Sequence, residues 1–137
     1  MAYQGDLSPS QAYELLQQDD SAVLVDVRTR AEWSYVGVPD VSATGRDAVL
    51  LEWVSFPDGA RNEDFVVHLE EVARHDVPVV FLCRSGVRSV AAAEAATAAG
   101  YTQAYNVLEG FEGPPDAQGH RGRAAGWKVA GLPWKQS

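Results

Sequence analysis

Val79-Val-Phe-Leu-Cys83-Arg-Ser-Gly-Val-Arg88-Ser89-Val-Ala-Ala-Ala-Glu-Ala-Ala-Thr-Ala-Ala99-Gly100 passes from the most apolar run of the chain, through a short cationic turn, into a run of alanines. Val79–Leu82 is short and β-branched, the pattern of a strand buried on both faces. The stretch from Ser89 to Ala99 is a strong helix former, and Gly100 stops it just past the helix end. Cys83 therefore stands at the carboxyl end of a strand and just ahead of a helix N-terminus. In open parallel sheets ligands bind beyond the carboxyl ends of strands. The unpaired N–H groups of a helix start favour an anion there, either a ligand or the cysteine's own thiolate. Gly86 lets the turn curl so that its N–H groups converge, and Arg88 adds a guanidinium for an oxyanion. A lone cysteine at a strand end is also an ordinary small core residue. A glycine-bent, cationic surround has no use in packing, and it shifts the reading of Cys83 to a nucleophile.

Outward from this stretch, strands and helices alternate. Ser8-Pro-Ser-Gln11 reads as a helix start, with Ser8 as N-cap, Pro9 at the first helical position and Gln11 closing a capping box. Ala12, Leu15 and Leu16 follow at helical spacing. The spacing predicts further strands over 22–27, 49–54 and 103–108. The turn residues Pro57-Asp-Gly59 close the second of these. A helix beginning near Asn62 as N-cap should bury Phe65, Val66, Leu69, Val72 and Ala73. Such alternation predicts a parallel sheet with helices on both faces. The chain reads as one domain over 1–137, with a core from about 6 to 111. The Gly- and Pro-rich segment 112–137 reads as irregular, with one short helix near 122–130, packed by Trp127 and Trp134.

The chain has 137 residues, a size suited to one domain, and a formal net charge of −8. Residues 1–76 hold five basic and fifteen acidic side chains, and residues 77–137 hold six and four. An acidic surface argues against nucleic acid and anionic membranes as partners, and the half with Cys83 better suits a small anion. One cysteine excludes intrachain disulfides, CxxC redox pairs and multi-cysteine zinc sites. No histidine pair has metal-ligand spacing, so no metal is expected. His68 and His75 read as surface residues of their helix, and His120 as a solvated loop residue. Met1-Ala-Tyr-Gln-Gly-Asp-Leu7 lacks the basic and apolar regions of a secretory signal, and no apolar run approaches a membrane span. The expected location is cytoplasmic, where a lone thiol stays reduced.

Cys83-Arg-Ser-Gly-Val-Arg-Ser89 resembles the active-site loop of the rhodanese-like sulfurtransferases. Asp26-Val-Arg-Thr-Arg-Ala-Glu-Trp33 resembles that family's N-terminal signature. Asn106-Val-Leu-Glu-Gly-Phe111, with Trp127 and Gly131-Leu-Pro133, resembles its C-terminal one. The three occur in the family's order across about residues 6–134. The resemblance implies a five-stranded, mainly parallel sheet flanked by helices on both faces. It implies thiosulfate sulfurtransferase chemistry without metal or organic cofactor, in which Cys83 becomes a persulfide. The donor would be thiosulfate or a persulfide, and the acceptor a thiophile such as cyanide, a thiol or an acceptor protein. By the same match, the N–H groups of Arg84, Ser85, Gly86, Val87, Arg88 and Ser89 would stabilise the persulfide. Arg88, with Arg84, would hold the donor's anionic end. One departure is Val36-Gly-Val-Pro-Asp-Val41, which keeps only the proline of a family stretch and should alter one pocket wall. The segment 113–126, with His120, Arg121 and Arg123, reads as a rim element.

Asp26, Arg28 and Glu32 read as a structural ion-pair network bracing a neighbouring loop rather than as acid–base catalysts. A cysteine phosphatase places its arginine six residues after the cysteine. Here that position is Ser89 and the arginine comes at 88, which favours a sulfur atom over a phosphate. An arsenate reductase has the same objection and lacks a resolving cysteine. A sulfur- or redox-sensing or partner-binding module of the same fold is the remaining alternative.

Overall fold

A computed structural model describes residues 3–45, 47–54, 60–84, 87–113, 117–118 and 126–135. The expected turn at Pro57–Gly59, Ser85 and Gly86 of the cysteine loop, and His120, Arg121 and Arg123 lie outside the described residues.

Five strands form one sheet in the order β1-β6-β5-β2-β4, comprising β1 (Gly5–Leu7), β2 (Val23–Asp26), β4 (Val49–Leu50), β5 (Val79–Leu82) and β6 (Ala104–Val107). Every pairing in it is parallel. Side chains of a strand alternate between faces, and the apolar runs feed two cores. Val25, Val27, Val79, Phe81 and Ala104 pack with Phe65 and Leu69 of α3 (Phe65–Val72) and Ala92, Ala93 and Ala96 of α4 (Val87–Ala98). Leu24, Val80, Leu82 and Val107 pack on the other face with Ala12 and Leu16 of α1 (Pro9–Gln18) and with Trp127. Cys83 continues the alternation of Val79 and Phe81, and so lies on the α3–α4 face.

The α1 cap is the expected one: the Gln11 N–H donates to Ser8 Oγ at 3.1 Å, and the Ser8 N–H donates back to Gln11 Oε1 at 2.9 Å. Elsewhere the boundaries differ. β4 is two residues long, because the register slips beyond Leu50: Leu51 N–H donates to the Asp26 carbonyl, but Trp53 N–H, two residues on, donates to that of Val27, only one residue on. α3 begins after Asp64, and Asn62 stands two residues earlier. There Asn62 accepts from the Asp64 N–H and donates to the Glu52 carbonyl, fixing the approach turn instead of the helix. Val72, expected in the core, is exposed at the end of α3. The three-residue β1 and α2 (Arg30–Val36) were not among the expected elements, although α2 carries a legible start in its Thr29–Glu32 capping box.

The described part of the C-terminal segment, 126–135, holds a short strand and hydrogen-bonded turns where its composition reads as irregular. Trp134–Lys135 forms β7, antiparallel to β3 (Val38–Pro39). The altered segment Val36–Val41 thus serves as the seat for the chain's end. Gly37 permits this contact, since a Cβ there would lie 2.7 Å from the Lys135 carbonyl oxygen. Over 126–130 the chain makes hydrogen-bonded turns and no helix, Ala130 N–H reaching Gly126 O at 3.0 Å. Trp127 is fully buried and donates Nε1–H to the Pro133 carbonyl. Trp134 is half-exposed, with Lys128 Nζ 4.2 Å above its ring.

Candidate active site

The site forms where the sheet's connections change direction. From β2 the chain runs outward to β4, from β5 it runs the other way to β6, and β2 and β5 are neighbours. That is the switch point at which open parallel sheets bind ligands. Val27 N–H donates to Leu82 O at 2.8 Å, so Arg28 and Cys83 emerge side by side. Cys83 itself is buried, as a packed core residue would also be.

The third motif holds the backbone of the first. Phe111 N–H donates to the Cys83 carbonyl at 2.8 Å, and the Glu112 and Gly113 N–H groups donate to that of Arg84 at 3.0 and 3.1 Å. Gly110, at φ +62°, lies so close that a Cβ would overlap the Cys83 carbonyl oxygen and stand 2.6 Å from the Arg84 carbonyl carbon. Only glycine meets both demands.

α4 starts at Val87, two residues earlier than the alanine run implies, so Arg88 belongs to its first turn and not to the loop. Ser89 is fully buried, and its Oγ lies 3.2 Å from Cys83 Sγ. Ser89 Oγ also donates to Asn106 Oδ1 on β6, and Asn106 Nδ2 donates to Asp6 Oδ1 on β1 at 3.0 Å. Ser89, expected to contribute its N–H, meets the sulfur with its hydroxyl. Asn106 and Asp6 were not singled out as site residues. A signal existed in Ala104-Tyr-Asn-Val107: a polar side chain in a buried strand needs a partner.

Arg84 and Arg88 both already have carboxylate partners. Arg88 donates Nη1–H and Nη2–H to Glu32 Oε1 and Oε2 at 2.6 and 3.0 Å, a bidentate pair. Arg84, exposed, pairs with Glu112 at 3.3 Å. Burial pushes the Glu32 carboxyl up, but the hydrogen bonds from Arg88 and Thr29 together outweigh it and hold it below the usual range. The Glu32 hydrogen bond raises Arg88 against the opposing effect of desolvation, and negative charge on Glu32, Cys83 and Asp26 adds to it. The expected network of Asp26, Arg28 and Glu32 therefore divides. Asp26 and Arg28 form one sealed pair, and Glu32 belongs with Arg88. Val87 is exposed beside them. Away from this end of the sheet, His68 is exposed on α3, and His75 pairs with Glu70 at 2.8 Å.

Comparison with known proteins bears on the fold and the family. A family model described as the STR4 middle domain covers residues 4–137. The crystal structure of Rv0390 from M. tuberculosis superposes with a TM-score of 0.92 at 55% identity, over 99% of this chain and 100% of that one. An uncharacterised protein of Rickettsia conorii is 37% identical over 92% of this chain and 93% of its own length. Thiosulfate sulfurtransferase GlpE of Haemophilus influenzae is 30% identical over 79% of this chain and 85% of its own. Fold and sequence agree over most of the length, and this chain belongs to the single-domain rhodanese-like sulfurtransferase family.

Proposed function

We propose that the protein is a sulfurtransferase that carries a sulfane sulfur on Cys83. The Cys83 thiolate attacks the outer sulfur of thiosulfate, the donor's S–S bond breaks, and sulfite leaves with the bonding pair. A thiophilic acceptor then attacks the outer sulfur of the Cys83 persulfide and returns the thiolate; with cyanide the product is thiocyanate. A persulfide donor would enter by the same displacement, with a thiolate as leaving group. The observation that carries the reading is Cys83 at the switch point, backed by the Ser89 hydroxyl at 3.2 Å and flanked by the first turn of α4. A helix start favours the negative sulfur in both states of the cycle.

Arg88, expected to grip the donor directly, acts in this reading as half of a pair. Its bond to Glu32 leaves the loop near neutral until an anion competes for the guanidinium. The reducing cytoplasm suits a single thiol that must remain reduced between turnovers. The final acceptor lies outside the chain, a small thiol or an acceptor protein, because no second cysteine is present.

Mass spectrometry after incubation with thiosulfate tests the reading. Cys83 should gain the mass of one sulfur atom and lose it on adding cyanide, and Cys83→Ser should gain nothing. An unchanged mass in the wild type, together with hydrolysis of a phosphate ester, would replace it with the phosphatase alternative.

A further inference from the structure

The polar chain behind Cys83 has a direction. Asp6 is exposed on the edge strand β1, and an ionised carboxylate only accepts hydrogen bonds. Tyr3 donates its hydroxyl to it at 2.6 Å, and this bond, with burial and the Asp6 charge, pushes the phenol up to about 12. Asn106 must therefore turn its nitrogen to Asp6, at 3.0 Å. Its oxygen then points inward, where it takes the one proton of the Ser89 hydroxyl. With that proton committed, Ser89 offers only lone pairs to Cys83 Sγ. The sulfur is the donor of this contact while it carries a proton, and a thiolate gains nothing from Ser89 until the hydroxyl turns.

We propose that Asn106, anchored by Asp6, is a positioning residue that fixes Ser89 as the acceptor of the Cys83 thiol proton. The Ser89 hydroxyl then serves the sulfur as a donor only when negative charge forms there. A hydrogen bond to a charged acceptor is the stronger kind, so the turn is favoured as the thiolate forms. Turning leaves the buried Asn106 oxygen without its donor, which restores the first arrangement when the charge is gone. The proposal rests on the reading of Cys83 as the sulfur-carrying nucleophile, and it adds a control on when that sulfur is reactive.

Other charges surround the same groups. Arg88 of α4 lies within electrostatic range of Cys83, with Glu32 of α2 as its partner. The Asp26–Arg28 pair stands at the end of β2, and Arg84–Glu112 flanks the loop. Tyr3 and Glu94 stand at the outer end near Asp6. The Asn106 variant keeps all of these, so a change in it reports on the chain through Ser89.

The experiment is the rate of iodoacetamide alkylation of the full chain against pH, read by mass spectrometry. Cys83 is the only cysteine, so the signal is unambiguous. Asn106→Leu should free the Ser89 hydroxyl for the sulfur, shift the profile to lower pH and speed alkylation at pH 7 roughly five- to tenfold. In a Ser89→Ala background the same substitution should change the rate by less than about twofold, because the coupling runs through that hydroxyl. An equal acceleration in both backgrounds, or an unmoved profile in the first, overturns the proposal. Asp6→Ala, on an exposed position, tests the same direction without touching the core. It should shift the profile the same way by less, again only with Ser89 present, and an unmoved profile overturns the assigned anchoring. Thiosulfate treatment of the same samples keeps the two readings apart. A wild type that takes up no sulfur counts against sulfur transfer and leaves the alkylation comparison standing.

Discussion

Two arginine–carboxylate pairs stand at the same end of the sheet, alike in geometry and opposite in setting. Asp26 and Arg28 are both 0% exposed. Arg28 Nε–H donates to Asp26 Oδ1 at 2.9 Å, Nη2–H donates to Oδ2 at 2.7 Å, and Nη2 also reaches the Gly37 carbonyl. Its guanidinium carbon lies over the Phe111 ring, 4.3 Å from the ring centre. Glu32 and Arg88 are 19% and 24% exposed and come from helices 56 residues apart in the chain. The first pair is a rivet: it joins the end of β2 to the β3 segment and to the post-β6 loop that grips Cys83. The second is within reach of water, and its Arg88 is raised in part by negative charge at Cys83. Burial, more than residue type, separates a charge that holds the site's shape from one that can change partners during a reaction.

The largest effect should follow from breaking the sealed pair. Arg28→Met leaves Asp26 as an uncompensated buried carboxylate, which costs about 3–5 kcal/mol. The urea midpoint should fall accordingly, and the folded fraction should be hard to retain at all. A loss under about 1 kcal/mol would mean that water reaches Asp26, and the contrast between the two pairs would collapse.

The same contrast marks what was legible in the sequence. Val79–Leu82 and the alanine run state their structure locally, through apolar pattern and helix propensity, and they placed Cys83 at its strand end. β1 is not legible that way. Gly5-Asp6-Leu7 has one apolar residue, and its strand identity comes from pairing with Ala104–Val107, about a hundred positions away. Asp26 and Arg28 are two residues apart and could be read as a pair. Glu32 was grouped with them by proximity in sequence, yet its side chain turns to Arg88, because its Thr29 cap fixes it in the first turn of α2. Three-dimensional pairing also hid Ser89, Asn106 and Asp6, each ordinary within its own segment.

The partly buried pair should move catalysis more than stability, and its two halves in opposite directions. Arg88→Ala removes the guanidinium and leaves the Glu32 carboxylate without its cation. The KM for thiosulfate should rise about tenfold, the scale of one charge-assisted hydrogen bond. Glu32→Gln keeps a hydrogen-bond acceptor for Arg88 but removes the competing charge, so the KM for thiosulfate should fall several-fold. Steady-state assays with cyanide as acceptor check both. If the two substitutions raise KM alike, the pair is a fixed brace like Asp26–Arg28, and an incoming anion does not draw Arg88 from Glu32.

The smallest effect is on acid stability, and its sign follows from Glu32. Its carboxyl is held below the ordinary value of 4.5 in the folded protein, with desolvation opposing and the Arg88 and Thr29 hydrogen bonds prevailing. A depressed carboxyl contributes stability that is fully present above the unfolded value and is lost as pH falls through the folded one. The contribution should therefore hold at neutral pH and fade below 4.5. For a partly exposed pair it amounts to about 1 kcal/mol, and salt should weaken it further. Glu32→Gln removes this group from the titration, so its urea midpoint should fall less steeply than the wild type's as pH is lowered through that window. Parallel slopes for the two proteins would show that Glu32 gains no more from Arg88 in the folded state than in the unfolded chain. The partner-exchange role assigned to the partly buried pair would then lose its electrostatic basis.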